Sequence, residues 1–479
     1  MLFRQIFDEK LAQYAYLIGC QRTGDALVID PERDIDRYLR IADEEGLRIV
    51  AVTETHIHAD FLSGARELAE KGVRVYLSAQ GGPDWSYRWP ALGDYDVVFL
   101  ADGDPFRVGN IEVRAIHTPG HTPEHLSFLV TDLGGGATEP MGLASGDFVF
   151  VGDTGRPDLL ESAAGVEGAM REGAESLYRS VRHFLDLPDY LQVWPGHGAG
   201  SACGKALGSV PETTVGYERR FNPALRAAIE SQDAFLGYVL DAQPEPPPYF
   251  GRMKRLNRDG APVIRGLPHP RTLGATDLDD ILTASGVVFV DAREGRAGFM
   301  GGHLPGALYV PFDKSFPTVA GSYLREDDQV YLVLDDEHLE EAVRNLVRIG
   351  IDEVAGHVTP HALEAWVERG GELRHIPEID TMEMEARRGA DAVVLDVRGE
   401  AEFRTGHVPG ALNIAYTSLP ERLEELPRDR TLLVHCATGS RSAVAAALLD
   451  REGLHAVHVN GLFARWLVRH GRKAPHPLA

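Results

Sequence analysis

Residues 287–311 read VVFVDAREGRAGFMGGHLPGALYVP, and residues 392–414 read AVVLDVRGEAEFRTGHVPGALNI. Each stretch opens on an apolar run that ends in Asp, passes through a turn and a short amphipathic segment, and arrives at GHxPGA. His303 and His407 stand 104 positions apart. Further on, YLVLDDEHLEEAVRNLVRIG (331–350) aligns with LLVHCATGSRSAVAAALLDREG (432–453), and Trp366 and Trp466 close the two copies. An internal repeat of about 100 residues is one structural unit used twice. The order strand, turn, short helix, strand, loop, helix, strand predicts a parallel sheet covered on both faces, a doubly wound α/β domain. The copies are expected at 273–375 and 376–479.

Upstream, QPEPPPYFG (243–251) and APVIRGLPHPRTLG (261–274) have the composition of a connector. The expected linker is 256–272, with the boundary near Pro268, which leaves 1–255 as a separate N-terminal domain. There AYLIG and ALVIDP read as neighbouring strands, RYLRIADEEG as a helix ending at Gly46, and RIVAVTET as a buried strand leading to His56. Further strands are predicted at VRVYLSA, IEVRAIHTPG, HLSFLVT and LASGDFVFVGD, and helices around 175–185 and 223–240.

The net charge of -24 repels phosphate backbones, so nucleic-acid partners are not expected. Cys20, Cys203 and Cys436 lie far apart with no CxxC, which fits reduced thiols in a cytoplasmic setting. MLFRQIFDEKLAQ is broken by charge every few residues, and no apolar run of about 18 follows, so neither secretion nor a membrane span is expected.

THIHADFLSG (55–64) places His56, His58 and Asp60 at i, i+2 and i+4 just after an apolar strand. A strand end opening into a loop turns alternate side chains toward one cavity. TPGHTPEH supplies His121, SGDFVFVGDTGRPD supplies Asp147, and PGHG supplies His197, each beside Gly or Pro turns. Asp153 is a rival to Asp147. Imidazoles and carboxylates in this combination suit a first-row transition metal rather than Ca²⁺ or Mg²⁺.

THIHAD, TPGHT, SGD and PGHG in this order resemble the metallo-β-lactamase superfamily, above all its glyoxalase II and persulfide dioxygenase branches. The resemblance implies an αββα sandwich with a metal at one edge. Glyoxalase II carries a His after the HxHxD Asp that holds a second metal; here that position is Phe61, which cannot ligate. Resemblance to the persulfide dioxygenases assigns one Fe(II) per chain to His56, His121 and Asp147, a facial triad with open positions. His58, Asp60 and His197 become groups that orient ligands or water, or alternative ligands. Arg156 is a candidate for a substrate carboxylate, with a structural ion pair as the other reading. Cys203 and Lys205, just past PGHG, are candidates for the substrate side.

Cys436 ends an apolar strand and begins CATGSRS before an alanine-rich helix. Backbone N–H groups and the positive helix end should surround its sulfur, with Arg441 adding charge, so that a thiolate can attack and carry a second sulfur. A cysteine phosphatase loop has five residues between Cys and Arg; here there are four, Ala437 to Ser440. The loop, DVR (396–398) and GHVPGA (406–411) resemble the rhodanese family, with Asp396, Arg398 and His407 as fold-holding turn residues. The first copy has Asp335 and Glu340 where the second has Cys436 and Arg441, so it should be catalytically inactive.

Together these features resemble persulfide dioxygenase–rhodanese fusions. The implied activity is oxidation of a thiol persulfide by O₂ to sulfite, coupled to sulfur transfer at Cys436 that forms thiosulfate. The implied partners are small molecules, and a homo-oligomer is expected. The alternatives are a Zn-dependent glyoxalase II-like thioester hydrolase fused to a sulfurtransferase, and a carrier or sensor whose metal domain only binds.

Overall fold

The computed structural model describes residues 1–159, 169–241, 243, 245–389 and 391–471. Its backbone divides into two compact units, Met1–Leu267 with Val347–Gly350, and Pro268–Leu346 with Ile351–Ala479.

The first unit holds two six-stranded sheets. One runs β1 (Leu2–Asp8), β2 (Gln13–Cys20), β3 (Asp25–Ile29), β4 (Arg48–Thr53), β5 (Arg74–Ser78) and β6 (Val97–Leu100) in order. The other is built from β7 (Pro105–Val108), β8 (Ile111–His117), β9 (Leu126–Asp132), β10 (Gly142–Gly146), β11 (Gln192–Pro195) and β12 (Thr213–Thr214), again in sequence order across the sheet. QYAYLIGC in β2 is buried along its whole length because both faces are covered. With side chains alternating, Ala15 and Leu17 point to one core, and Tyr14, Tyr16 and Ile18 to the other. The inner core packs these tyrosines with Phe106, Phe128 and Trp194 of the second sheet. The outer face of the first sheet takes Tyr38 and Ala42 from the Asp36–Glu44 helix. That of the second takes Leu177 and Val181 from the Ala169–Phe184 helix and Phe235 from Gln232–Leu240. The layering is therefore helix, sheet, sheet, helix.

Three local expectations change. SGDFVFVGD is not a strand throughout: β10 stops at Gly146, whose φ of +52° turns the chain. The 223–240 helix is two helices, Pro223–Glu230 and Gln232–Leu240, because extended Ser231 ends one and caps Ala234 N–H of the next. The connector expected at 256–272 begins inside a helix, Phe250–Asp259, and then packs on the first unit, with Ile264 N–H donating to Glu67.

The second unit holds two five-stranded sheets whose partners are all parallel. The first copy uses β13 (Arg271–Leu273), β14 (Val287–Asp291), β15 (Leu308–Tyr309), β16 (Gln329–Val333) and β17 (Val354–Val358) in the order 13-17-16-14-15. The second uses β18 (Glu378–Asp380), β19 (Ala392–Asp396), β20 (Leu412–Asn413), β21 (Thr431–His435) and β22 (Ala456–Asn460) in the order 18-22-21-19-20. The permutation is identical. So are the fasteners: Arg293 forks onto Asp291 and reaches Gly302 O, as Arg398 forks onto Asp396 and reaches Gly406 O. His303 and His407 each stack on a Phe, with ring centroids 3.9 Å apart. Among the described residues, no helix is long and apolar enough to cross a membrane. All three cysteines are unpaired and buried.

Candidate metal centre and thiol loop

His56 follows β4, His121 lies in the turn between β8 and β9, and Asp147 follows the Gly146 turn. One donor atom from each lies within 4.8 Å of the others, and Asp60, His197 and Cys203 form a second such group. The hydrogen-bond network sets the imidazole tautomers. Nδ1 of His121 faces the Arg156 carbonyl at 3.0 Å and that of His197 faces the Ala12 carbonyl at 3.2 Å, so both donate from Nδ1. His56 Nδ1 lies 2.9 Å from Thr55 Oγ1, whose hydroxyl proton goes to Asp30 Oδ2 at 2.8 Å. His56 therefore donates from Nδ1 as well. All three present bare Nε2 lone pairs to carboxylates: His56 and His121 stand 3.9 and 3.5 Å from Asp147 Oδ2, and His197 stands 3.4 Å from Asp147 Oδ1 and 3.3 Å from Asp60 Oδ2. Lone pairs facing lone pairs repel, and no oxygen of Asp60 or Asp147 has a hydrogen-bond partner. A cation among them removes the conflict, so the residues fit a metal ion.

Burial holds His56 and His121 well below the usual imidazole range and pushes Asp60 and Asp147 up to about 6. His58 behaves differently. Burial opposes its charge, but Asp30, 3.1 Å from Nε2, outweighs it and pushes the ring up to about 9. His58 is thus committed to Asp30 and packs against Phe61, with ring centroids 4.4 Å apart and the planes tilted by 35°. Phe61 removes one possible donor, yet a second donor group exists without it.

The expected substrate-side residues divide. Cys203 is buried with Asp60 and His197, and burial raises its thiol well above the ordinary range. Arg156 spends its fork on Asp158 Oδ1 at 2.8 Å and the Ala202 carbonyl at 2.9 Å, which is the structural ion pair. Lys205 does not face the cavity: Nζ donates to the Tyr238 and Asp241 carbonyls and lies over the Tyr238 ring, where it satisfies the end of the Gln232–Leu240 helix. Asp153 accepts the Lys205 and Ala206 N–H groups and is a turn residue. Sequence reading missed one buried cation. Lys254 Nζ is buried, has no hydrogen-bond partner, and lies 4.6 Å over the Trp85 ring. Burial lowers it to about 8, and its charge reaches His121, Glu124 and Cys203.

In the second unit, β21 ends at His435 and the Ser440–Arg451 helix begins after four intervening residues. Cys436 is buried, and its Sγ accepts Gly439 N–H at 3.1 Å and lies 3.5 Å from Ser442 Oγ. Gly439 has φ +97°, a left-handed value that lets the loop fold back over the sulfur. Arg441 does not face the sulfur alone: it forms a two-pronged pair with Glu402 at 2.5 and 2.9 Å. Beneath the loop, His458 bridges Glu378 at 2.9 Å to the Gly439 carbonyl at 2.9 Å and Ser442 Oγ at 3.1 Å. In the first copy β16 ends at Val333 and the helix starts at Asp336, with Asp335 exposed. Two residues cannot form such a loop, so this copy lacks a sulfur cradle as well as a cysteine.

Residues 9–197 match the family Metallo-beta-lactamase superfamily, and 381–468 match Rhodanese-like domain. A solved metallo-beta-lactamase from Staphylococcus aureus subsp. aureus COL is 41% identical with a TM-score of 0.67, covering 75% of this chain and 99% of that one. The chain belongs to the metallo-β-lactamase superfamily. The Bos taurus mitochondrial persulfide dioxygenase ETHE1 is 28% identical over 48% of this chain and 78% of its own. A Xylella fastidiosa beta-lactamase hydrolase-like protein is also 28% identical, and this chain spans 64% of its length. In the first unit, Asp30, His125 and Asn257 support the candidate ligands yet carry no local sequence signal. Asp30 sits at φ +51° and accepts Thr55 N–H at 2.6 Å. His125 Nε2 accepts the Asp147 N–H at 3.1 Å, and burial lowers its ring to about 3, so it stays a neutral acceptor. Asn257 donates to the His58 and Phe61 carbonyls at 2.9 and 2.7 Å, holding the HxHxD loop from a helix about 200 residues away.

Proposed function

We propose that this chain oxidises the terminal sulfur of a low-molecular-weight thiol persulfide at one Fe(II) held by His56, His121 and Asp147, and transfers sulfane sulfur at Cys436. The observation that carries the reading is the set of bare Nε2 atoms of His56 and His121 aimed at the unpartnered Asp147 carboxylate. Two imidazoles and one carboxylate leave open positions, as non-haem Fe(II) oxygenases require. Likeness to persulfide dioxygenase ETHE1 supports the substrate class. When bound, Fe(II) supplies an electron source and a place where O₂ and a sulfur anion meet. The balanced change is RSSH + O₂ + H₂O giving RSH + HSO₃⁻ + H⁺.

The chain's own groups do the positioning. Thr55, Arg156 O and the Asp30 carboxylate hold the ligand rings in their tautomers, and the buried Lys254 ammonium, within electrostatic reach of His121 and Cys203, supplies positive charge for a persulfide anion. Asp60, His197 and Cys203 gather beside the ligand rings, with His197 Nε2 3.4 Å from Asp147 Oδ1. At Cys436, the Gly439 N–H and the helix N-terminus stabilise a thiolate that takes the outer sulfur of a persulfide and passes it to an acceptor. Sulfite as acceptor gives thiosulfate and joins the two activities in sulfide detoxification. The unpaired cysteines suit a reducing cytoplasm.

The Asp60, His197 and Cys203 group favours a second reading, a two-metal hydrolase acting on a thioester with Zn²⁺. Anaerobic purification, metal analysis and O₂ uptake with glutathione persulfide separate the two. One Fe per chain with uptake supports the oxygenase; two Zn with thioester cleavage and no uptake overturns it. Cys436→Ser keeps O₂ uptake and loses thiosulfate formation, and His121→Ala abolishes O₂ uptake while sparing sulfur transfer to added sulfite.

A further inference from the structure

The first copy in the second unit has no cysteine and no loop, yet it reaches the loop of the second. Arg296, at the start of the Arg296–Met300 helix, donates from Nη1 to the Thr438 carbonyl at 3.3 Å and from Nη2 to Asn460 Oδ1 at 2.8 Å. The Thr438 carbonyl and the Gly439 N–H belong to one planar trans peptide, so they point in opposite directions. Arg296 holds the carbonyl on one side, and on the other the N–H meets Cys436 Sγ at 3.1 Å. The same peptide abuts Gly439 at φ +97°, where the backbone is free to rotate. A flip would swing the carbonyl dipole onto the sulfur and remove the donor. A side chain at 439 would lie 2.5 Å from Arg296 Nη1, so the glycine also makes room for this guanidinium.

The charge balance points the same way. Arg441 is neutralised by Glu402. The hydrogen bonds of Arg296 go to a backbone carbonyl and an amide oxygen, both uncharged, and its charge is shared at the back of the loop with the Glu378 carboxylate, which it helps to hold below the ordinary range. Asn460 continues to Glu378 at 3.0 Å, and Glu378 to His458, which holds the Gly439 carbonyl. The peptide groups on both sides of Gly439 are thereby anchored, one from each copy.

We propose that Arg296 is a positioning residue of the sulfur-transfer site: it locks the Thr438–Gly439 peptide with its N–H on Cys436, so that the first copy completes the site it cannot form itself. The inference rests on the reading that Cys436 carries sulfur, and the test keeps the two apart. In the full-length protein, Arg296→Ala, Arg296→Lys and Arg451→Ala are compared. Arg451 donates to the Gly306 carbonyl and so also joins the two copies, without touching the loop. The first readout is the pH profile of Cys436 alkylation by iodoacetamide, followed by peptide mass spectrometry. The second is kcat and KM for thiosulfate with cyanide.

Arg296→Ala should move the alkylation midpoint to higher pH and lower kcat/KM about tenfold, the effect of losing one charge-assisted donor. Arg296→Lys should recover part of both, because it keeps the charge with a single donor. Arg451→Ala should match wild type. An unchanged alkylation profile in Arg296→Ala overturns the proposal, as does an equal shift in Arg451→Ala. A shifted profile in a protein that never transfers sulfur upholds the positioning role and refutes the transfer reading instead. If Arg296→Ala does not fold, Arg296→Lys decides by the same profile.

Discussion

Lowering the pH from about 7.5 to about 5.5 should weaken metal binding only slightly. A metal competes with protons for its ligands, so affinity follows the fraction of each ligand that is already proton-free. Asp147 stands at about 6 because burial raises it. Its ionised fraction falls from about 0.97 to about 0.24 across that window, a loss of about fourfold. His56 and His121 are held well below the usual imidazole range by burial, with the His58 charge next for His56 and the Lys254 charge next for His121, so they stay proton-free and add nothing. The sign is that of a raised carboxylate: binding strengthens as pH rises through about 6 and levels off above it. Two imidazoles at their ordinary value of about 6.5 would each cost about tenfold instead, about a hundredfold together. Competition with a coloured chelator under anaerobic conditions, with Fe(II) and then Zn²⁺, measures this in the full chain. A fall near a hundredfold would show that the rings titrate in the window and that the bare Nε2 arrangement is wrong. A second ion bound through Asp60 and Cys203 would fall much more steeply, because the Cys203 thiol, raised well above its ordinary range by burial, must lose its proton to bind.

Three further substitutions probe the frame. In Gly146→Ala the new Cβ would lie 2.6 Å from Thr55 and 2.8 Å from His125 at a φ of +52°, so metal affinity should drop at least about tenfold, with about 1–3 kcal/mol of stability lost in urea unfolding; wild-type affinity would refute the close packing. Asn257→Ala removes donors to His58 and Phe61 carbonyls and the acceptor of Ser63 N–H, and should destabilise the first unit by about 2–4 kcal/mol in urea unfolding; a loss under about 0.5 kcal/mol would show that the helix does not hold the loop. Lys254→Met relieves a buried ammonium that lacks a hydrogen-bond partner, so the protein should become more stable by about 1 kcal/mol while KM for the persulfide rises about tenfold; unchanged KM would remove Lys254 from the substrate's path.

The parts legible in the sequence were those whose signal is local. A strand running into THIHAD, a GD after a small-residue strand and a cysteine between a strand and a helix each announce a side chain at the end of an element. The repeat showed its topology because an identical permutation of strands needs the same punctuation, D-x-R and GHxPGA, and the Asp–Arg–carbonyl fasteners of both copies explain why. What the sequence concealed was which charges are already taken. Arg441 looked available to the sulfur until Glu402, 39 residues away, claimed its fork. Lys205 looked like a cavity cation but binds the carbonyls of a helix end, while Lys254, in a segment read as leading into a linker, is the ammonium left without a hydrogen bond. A long cationic side chain reaches several ångströms from its backbone, so its position in sequence says little about where its charge ends up. Short ligands such as His and Asp have no such reach, and their loops place them. The same asymmetry explains why the first copy could be read as lacking a cysteine and loop but not as a participant. Its contribution is the tip of one arginine, set 142 residues from the carbonyl it holds, and it becomes visible only when the peptide plane it grips is followed through to the sulfur on the other side.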